Sequence, residues 1–174
     1  MITYGKHFID QDDIKNVTTS LKSKYITQGP NVILFEDKIK KIFNAKGAAV
    51  VSSGTAALHL SGIALNWRPN DIVLTVPLTF IATANAVLYS GAKLEFIDID
   101  AKTLNIDLKL LEKKIIDLRK KKKKIKSLIA VDYAGNPCEW EDIKYLSKKY
   151  GFSVINDNCH AIGSKYKNLI GYAT

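Results

Sequence analysis

The chain has few cysteines and no long apolar run. Its two cysteines, Cys138 and Cys159, are far apart among 174 residues and form no CxxC pair. That spacing argues against a disulfide framework or a zinc site, so we expect two reduced thiols and no bound metal. No apolar run approaches the ~20 residues of a membrane span, and the first residues lack the apolar core of a signal peptide. These absences predict a cytoplasmic protein with no membrane partner.

The composition predicts one globular domain over residues 1–174. Hydrophobic residues make up 47% of the chain and charged residues 25%, which is typical of a protein with a packed core. The chain contains no internal repeat and no linker-like segment. One α/β domain is therefore the simplest interpretation.

Most of the net charge of +9 comes from one basic segment. Its charged residues are Arg119, Lys120, Lys121, Lys122, Lys123, Lys124 and Lys126. No aromatic residue interrupts the segment and no nucleic-acid motif flanks it, so we interpret it as a solvated helix end and expect no nucleic-acid partner. A basic nucleic-acid-binding domain stays open as an alternative that rests on this segment alone.

Apolar spacing divides the chain into helices and short strands. Helices are predicted over residues 11–22, 30–42, 55–65, 81–89, 108–118 and 139–150. Strands are predicted over residues 48–52, 72–76, 94–97, 127–131 and 153–155, with a further strand beginning in 163–168. Alternation of strands and helices predicts an α/β fold with a mostly parallel sheet flanked by helices. The chain then stops at Thr174 without a closing element, and we expect a truncated polypeptide or a fragment of a longer one.

Asp157 is the most informative residue. It follows an apolar strand, and the carboxyl ends of parallel strands border the crevice where α/β sheets bind ligands. An aspartate there can keep a cofactor's ring nitrogen protonated, although it could also cap a following turn. His160 could donate to a phenolate oxygen of the same cofactor, or it could be a packed or surface histidine.

A second segment, Ser53 to Ala56, follows a predicted strand and opens a helix. Free N–H groups and the positive end of the helix dipole favour an anion there. Gly54 allows close backbone approach and Thr55 adds a hydroxyl, although ordinary helix capping would use the same residues. Phe80 follows the next strand and could stack on a flat ring or lie in the core. A ring-nitrogen carboxylate and a phosphate site together suggest pyridoxal phosphate.

These motifs, in this order, resemble the DegT/DnrJ/EryC1/StrS sugar aminotransferase family. The resemblance runs from Tyr4 to Tyr172 and includes residues 27–30, 35–36, 53–60, 79–86, 91–93, 96–100, 133–136, 157 and 160–164. It implies the N-terminal part of the large domain of a fold type I aminotransferase that uses pyridoxal phosphate. The family often has Glu before the ring aspartate, whereas this chain has Asn156.

The resemblance also implies residue roles. Asp157 would pair with the pyridine nitrogen, His160 would lie near the phenolate oxygen, and Phe80 would stack on the ring. The phosphate would be bound by Gly54, Thr55 and Ala56. The sugar site would be bordered by Tyr4 and Thr27.

Residues 4–6, 9–10 and 148–152 are most similar to the branch of the family that acts in pseudaminic acid biosynthesis. The implied reaction moves an amino group from L-glutamate to C4 of a UDP-4-keto-6-deoxy amino sugar, in an enzyme that works as a homodimer when complete. The family's Schiff-base lysine corresponds to a position beyond Thr174. We therefore expect the chain alone to be inactive, and the alternative is a non-catalytic module that binds a sugar nucleotide or pyridoxal phosphate.

Overall fold

A computed structural model describes residues 6–167 and the backbone of 169–170. The helices are α1 (Gln11–Leu21), α2 (Pro30–Ile42), α3 (Gly54–Ala64), α4 (Ile81–Tyr89), α5 (Leu108–Lys120) and α6 (Trp140–Tyr150). The strands are β1 (Ile72–Thr75), β2 (Lys93–Phe96), β3 (Ile125–Val131), β4 (Ser153–Asp157), β5 (Lys165–Tyr166) and β6 (Leu169–Ile170). None of the helices in the described part of the chain has both the length and the apolarity of a transmembrane segment.

Four parallel strands form the main sheet, in the order β2-β1-β3-β4. Parallel neighbours require crossover connections, and α4, α5 and α6 lie in the connections between successive strands. β5 and β6 form a separate antiparallel pair, where the sequence predicted that another strand begins. The predicted α/β class and parallel sheet are confirmed.

The sheet is buried between two layers of helices. All four residues of β1 are buried, which explains why its sequence is apolar without alternation. On one face, Leu74 and Leu128 pack in a cluster with the apolar sides of α5 and α6. On the other face, Val73 and Ile129 pack with residues of α3 and α4. This second layer brings the start of α3 close to the carboxyl ends of the strands.

The prediction of a strand over residues 48–52 is wrong. Those residues form no strand in the structure, because no described strand pairs with them. The Val50 N–H instead donates to a carboxylate oxygen of Glu36 at 2.9 Å, and the Val50 side chain stays 43% exposed. Apolar β-branched composition alone does not make a strand without a neighbour to complete the ladder.

The two N-terminal helices form where their sequence pattern predicts, but neither contains a buried residue. Asp10 and Asp13 form a capping box at the start of α1, and Pro30 occupies the first turn of α2. Ile14, Val17 and Leu21 repeat at helical spacing yet are more than half exposed. Local capping signals therefore define these helices, and the described residues leave their apolar faces uncovered.

Candidate cofactor site

A cavity of about 470 Å³ opens at the carboxyl ends of β3 and β4, beside the start of α3. Its volume lies in the range of small-molecule sites. The cavity is lined by Gly54, Thr55, Leu58, Leu78, Thr79, Phe80, Ala82, Val131, Tyr133, Asp157, Cys159 and His160. The structure thus brings together five of the six predicted cofactor residues, which come from three separate parts of the sequence. The sixth, Ala56, lies just inside α3 and is not among the lining residues.

Asp157 is the last residue of β4, and its side chain lines the cavity while only 6% of the residue is exposed. One carboxylate oxygen, Oδ2, accepts a hydrogen bond from Thr83 Oγ1 at 2.9 Å. The other, Oδ1, has a long contact of 3.4 Å with the Cys159 N–H. No cation pairs with this carboxylate in the described part of the chain. A buried carboxylate with so few partners favours a protonated ligand group.

Thr83 is one of the site residues that were not predicted from the sequence. It is fully buried in α4, and its hydroxyl also lies 2.8 Å from the hydroxyl of Thr79. The available signal was two threonines at i and i+4, which face the same side of a helix start. It was overlooked because threonine in an apolar helix is usually ordinary packing.

The first turn of α3 presents N–H groups toward the cavity. Ser53 is its N-cap, and the Ser53 hydroxyl accepts from the Ala56 N–H at 3.1 Å. This bond leaves the N–H groups of Gly54 and Thr55 without a hydrogen-bond partner among the described residues. Capping therefore uses the Ala56 N–H and leaves the N–H groups of Gly54 and Thr55 available to an anion. Ala56 would have to share its N–H with Ser53.

Phe80 is the N-cap of α4 and is 69% exposed. The alternative that it is a core phenylalanine is therefore wrong. An exposed aromatic ring at the edge of an apolar cavity provides a surface on which a flat ligand can stack.

His160 and Tyr133 lie on the side of the cavity formed by the loops after β4 and β3. Their rings meet edge to face, with 6.3 Å between centroids. The Tyr133 N–H donates to the side chain of buried Asn105 at 3.1 Å, which fixes the loop that carries the ring. Tyr133 was not predicted as a site residue, because its surroundings in the sequence indicated only a turn.

Cys159 lies between the two parts of the site. Its sulfur would be 3.4 Å from a Cβ added at Gly54, about van der Waals contact, so Cys159 packs beside the start of α3 in the cavity wall. Desolvation, followed by the neighbouring Asp157 carboxylate, raises the pKa of the Cys159 thiol to about 11. The thiol is therefore protonated at neutral pH, and its side chain contacts the Asp157 carboxylate in the wall of the cavity.

Several other predicted features lie away from this cavity. Thr27 is exposed between α1 and α2 and does not line the cavity, and Tyr4 lies outside the described residues. Arg119 and Lys122–124 surround a second depression beside Ile125, at the amino end of β3 and thus at the opposite edge of the sheet. The last turns of α5 and α6 meet there, and cations stabilise helix C-termini.

Comparison with known proteins identifies a family whose sequence pattern matches this chain. Residues 7–172 match the DegT/DnrJ/EryC1/StrS aminotransferase family. A UDP-4-amino-4,6-dideoxy-N-acetyl-beta-L-altrosamine transaminase from Campylobacter jejuni subsp. jejuni serotype O:2 is 45% identical over 97% of this chain and 43% of its own length.

Solved structures agree with this match. Helicobacter pylori PseC, described as an aminotransferase involved in the biosynthesis of pseudoaminic acid, has a TM-score of 0.85 at 35% identity, covering 97% of this chain and 44% of that one. The PLP-form of the putative sugar aminotransferase Spr1654 from Streptococcus pneumoniae has a TM-score of 0.85 at 27% identity, covering 97% and 45%. The chain thus spans less than half the length of these relatives. It has the fold of part of a fold type I aminotransferase, and it belongs to the DegT/DnrJ/EryC1/StrS aminotransferase family.

Proposed function

We propose that this chain forms the cofactor-binding part of a pyridoxal phosphate-dependent sugar aminotransferase. The observation that carries the proposal is the buried carboxylate of Asp157 at the cavity that the unpaired N–H groups of α3 also border. Pyridoxal phosphate has a protonatable ring nitrogen and a phosphate, and these are the two groups that such a pair of features can bind.

The residues present fit this cofactor. When bound, pyridoxal phosphate supplies an electron sink for negative charge that develops beside the reacting nitrogen. The Asp157 carboxylate would accept the ring N–H and keep that proton in place. The N–H groups of Gly54 and Thr55, with the Thr55 hydroxyl, would bind the phosphate. Phe80 would cover one face of the ring and exclude water, and His160 would lie near the phenolate oxygen.

Amino transfer also needs a group that carries protons to and from the reacting carbon. In this family that group is a lysine, yet none of the described residues lining the cavity is a lysine. Lys167 pairs with Glu141 and Lys165 lies in β5, so neither belongs to the site. We therefore propose that the 174 residues bind the cofactor noncovalently and do not transfer amino groups by themselves.

For the whole enzyme we propose transfer from L-glutamate to C4 of a UDP-4-keto-6-deoxy amino sugar in pseudaminic acid biosynthesis. The support is the similarity to the altrosamine transaminase and to PseC, both above 30% identity. The sugar-site roles of Tyr4 and Thr27, a homodimeric assembly and a cytoplasmic location stay predictions.

Equilibrium dialysis of the purified chain against pyridoxal phosphate tests the cofactor role, with Asp157→Asn as the matched variant. We expect saturable binding that D157N weakens roughly ten- to a hundredfold, since a hydrogen bond to a charged group contributes about 1.5–3 kcal/mol. Borohydride reduction followed by mass spectrometry should find no single lysine of this chain that is modified preferentially, only scattered adducts on exposed lysines. Equal binding by both proteins would contradict the ring-nitrogen role. A lysine adduct confined to one site would contradict the noncovalent one.

A second assay separates the enzyme from a non-catalytic binding module. A longer protein that contains this chain should convert the 4-keto sugar nucleotide to its 4-amino product with L-glutamate. Cofactor binding without any conversion would favour the module.

A further inference from the structure

The hydrogen-bond directions around Asp157 follow from the chemistry of its partners. An ionised carboxylate only accepts hydrogen bonds, whereas a threonine hydroxyl has one hydrogen to donate. The 2.9 Å contact with Asp157 Oδ2 therefore uses the Thr83 hydrogen. The contact of 2.8 Å between the two threonine hydroxyls must then use the hydrogen of Thr79. The donors thus run in one direction, from Thr79 to Thr83 to Asp157.

The Thr83 hydroxyl makes the shorter of the two measured hydrogen bonds to the Asp157 side chain. The N–H of Cys159 lies 3.4 Å from Oδ1, which is beyond the usual range of a strong hydrogen bond. Thr83 is fully buried, so water does not compete for its hydroxyl. The Cys159 thiol also contacts the carboxylate, but the bond from Thr83 is the one that comes from a buried side chain of α4.

The same hydroxyls also connect Asp157 to the corner that carries Phe80. Thr79 immediately precedes Phe80 and lines the cavity, while the Thr83 N–H donates to the Phe80 carbonyl at 3.0 Å. The group proposed to bind the ring nitrogen and the group proposed to cover the ring face are thus joined through two threonines.

We propose that Thr83 and Thr79 form a hydroxyl relay that positions the Asp157 carboxylate, and with it the Phe80 corner, for a bound pyridine ring. The proposal rests on the proposed function for its ligand, but the orientation of Asp157 is a property of the cofactor-free chain. Thr83 acts through Asp157 and is a positioning residue. Thr79 acts one step further away, because Thr83 can donate to Asp157 without it.

The test compares Thr83→Val with Thr83→Ser, because valine keeps the shape and loses the hydroxyl whereas serine keeps the hydroxyl. Thr75→Val is the matched control. Thr75 is an equally buried threonine whose hydroxyl donates to the Ile129 carbonyl at 3.0 Å, outside the relay. Circular dichroism and thermal unfolding establish that each variant is folded.

Crystal structures of the cofactor-free variants give the first readout. We expect the Asp157 carboxylate to turn away from its present position in T83V and to keep it in T83S and T75V. The dissociation constant for pyridoxal phosphate gives the second. It should rise about tenfold in T83V, about threefold in Thr79→Val and less than twofold in T83S, in keeping with the loss of one hydrogen bond to a charged group. With ¹⁵N-labelled cofactor, the ring-nitrogen resonance should move toward the neutral form in T83V only.

These outcomes separate the two proposals. If the unmodified chain does not bind pyridoxal phosphate but Asp157 turns in T83V alone, the proposed function fails and the relay stands. If Asp157 keeps its orientation in T83V and affinity falls no further than in T75V, the relay is overturned. Should T83V not fold, Thr83→Ala decides, because alanine also removes the hydroxyl, and an unchanged affinity with an unchanged Asp157 orientation in that variant would overturn the relay as well.

Discussion

The indole Nε1–H of Trp140 donates to Oδ1 of Asp132 at 3.1 Å, and the Cys138 N–H donates to the same oxygen at 2.8 Å. Asp132 is 2% exposed, and the two bonds attach the start of α6 to the end of β3. Burial raises the pKa of the Asp132 carboxyl above its usual value, although these donors and the Asn156 side chain oppose the shift. Asp132 thus has a structural role, although burial makes its charged form less favourable in the folded state than its protonated form.

The first prediction concerns the pH dependence of stability at Asp132. Because its folded pKa is raised, the native state holds this proton more tightly than the unfolded state. The contribution of Asp132 to the free energy of unfolding should therefore fall as pH rises from the unfolded pKa near 3.8 through the folded pKa. Asp132→Asn removes the titrating carboxyl, so the stability of D132N relative to the unmodified chain should increase with pH across that interval. Urea unfolding at several pH values measures it, and a constant difference would contradict it.

The second prediction contrasts Asp132→Ala with D132N at neutral pH. Asparagine keeps an acceptor for the Trp140 and Cys138 donors, and the Asn156 amide can turn so that its unpartnered Oδ1 accepts from the new amide. Alanine leaves two buried donors unsatisfied, which costs about 1–3 kcal/mol each. We expect D132A to be less stable than the unmodified chain by at least about 2 kcal/mol, with D132N near or above it. Equal unfolding midpoints for the two variants would rule out the network.

The third prediction concerns Gly62, in the last turn of α3. A Cβ there would lie 2.4 Å from a ring carbon of Trp67, and Trp67 is held in place because its Nε1–H donates to the buried Ser127 hydroxyl at 2.8 Å. Helix propensity favours Gly62→Ala by about 0.5–1 kcal/mol, whereas overpacking costs about 1–3 kcal/mol. Because the neighbour is a fixed ring, we expect net destabilisation. Gly47→Ala, with open space around its Cβ, is the control in thermal unfolding.

The fourth prediction uses the raised pKa of Cys159. Alkylation requires the thiolate, so the rate at Cys159 should keep rising tenfold per pH unit up to pH ~10, since the pKa of the thiol is about 11. A thiol with the ordinary value of 9.0 would level off instead. D157N removes the second cause of the shift and should move the profile to lower pH, leaving the contribution of desolvation. Peptide-resolved mass spectrometry separates Cys159 from buried Cys138, and a plateau near pH 9 would contradict the shift.

The sequence was sufficient to predict most of the fold, because the signals for its helices are local. The helix predicted at 81–89 matches Ile81–Tyr89, and α5 extends only two residues beyond its predicted end. Strand 48–52 could not be predicted correctly, because strands depend on partners elsewhere in the chain. The sequence also could not predict that the apolar faces of α1 and α2 are uncovered, because periodicity shows which residues share a face and not what covers that face.

Some residues of the candidate site could likewise be predicted from the sequence, and others could not. Asp157 ends β4 and Phe80 follows β1, and both strands end at the same edge of a parallel sheet, so the predicted topology brought these two residues together. Gly54 joins them at the cavity although the strand predicted before it does not form. Thr83 and Tyr133 enter the site through tertiary contacts, which leave no spacing pattern in the sequence. The capping and phosphate interpretations of residues 53–56 could not be separated until the Ser53 hydroxyl was seen to bind the Ala56 N–H.

The last prediction separates those two roles at Ser53 itself. Ser53→Ala removes the cap of α3 and should lower stability by about 1 kcal/mol, whereas Ser53→Asp keeps a capping acceptor. An aspartate also places a negative charge beside the N–H groups of Gly54 and Thr55, where it would repel a phosphate. We therefore expect opposite rankings, in which S53D unfolds at the higher temperature but binds pyridoxal phosphate more weakly than S53A does. Pyridoxal without the phosphate is the control ligand, and its affinity should differ little between the two variants. If S53D binds pyridoxal phosphate as tightly as the unmodified chain, the phosphate does not lie at the start of α3.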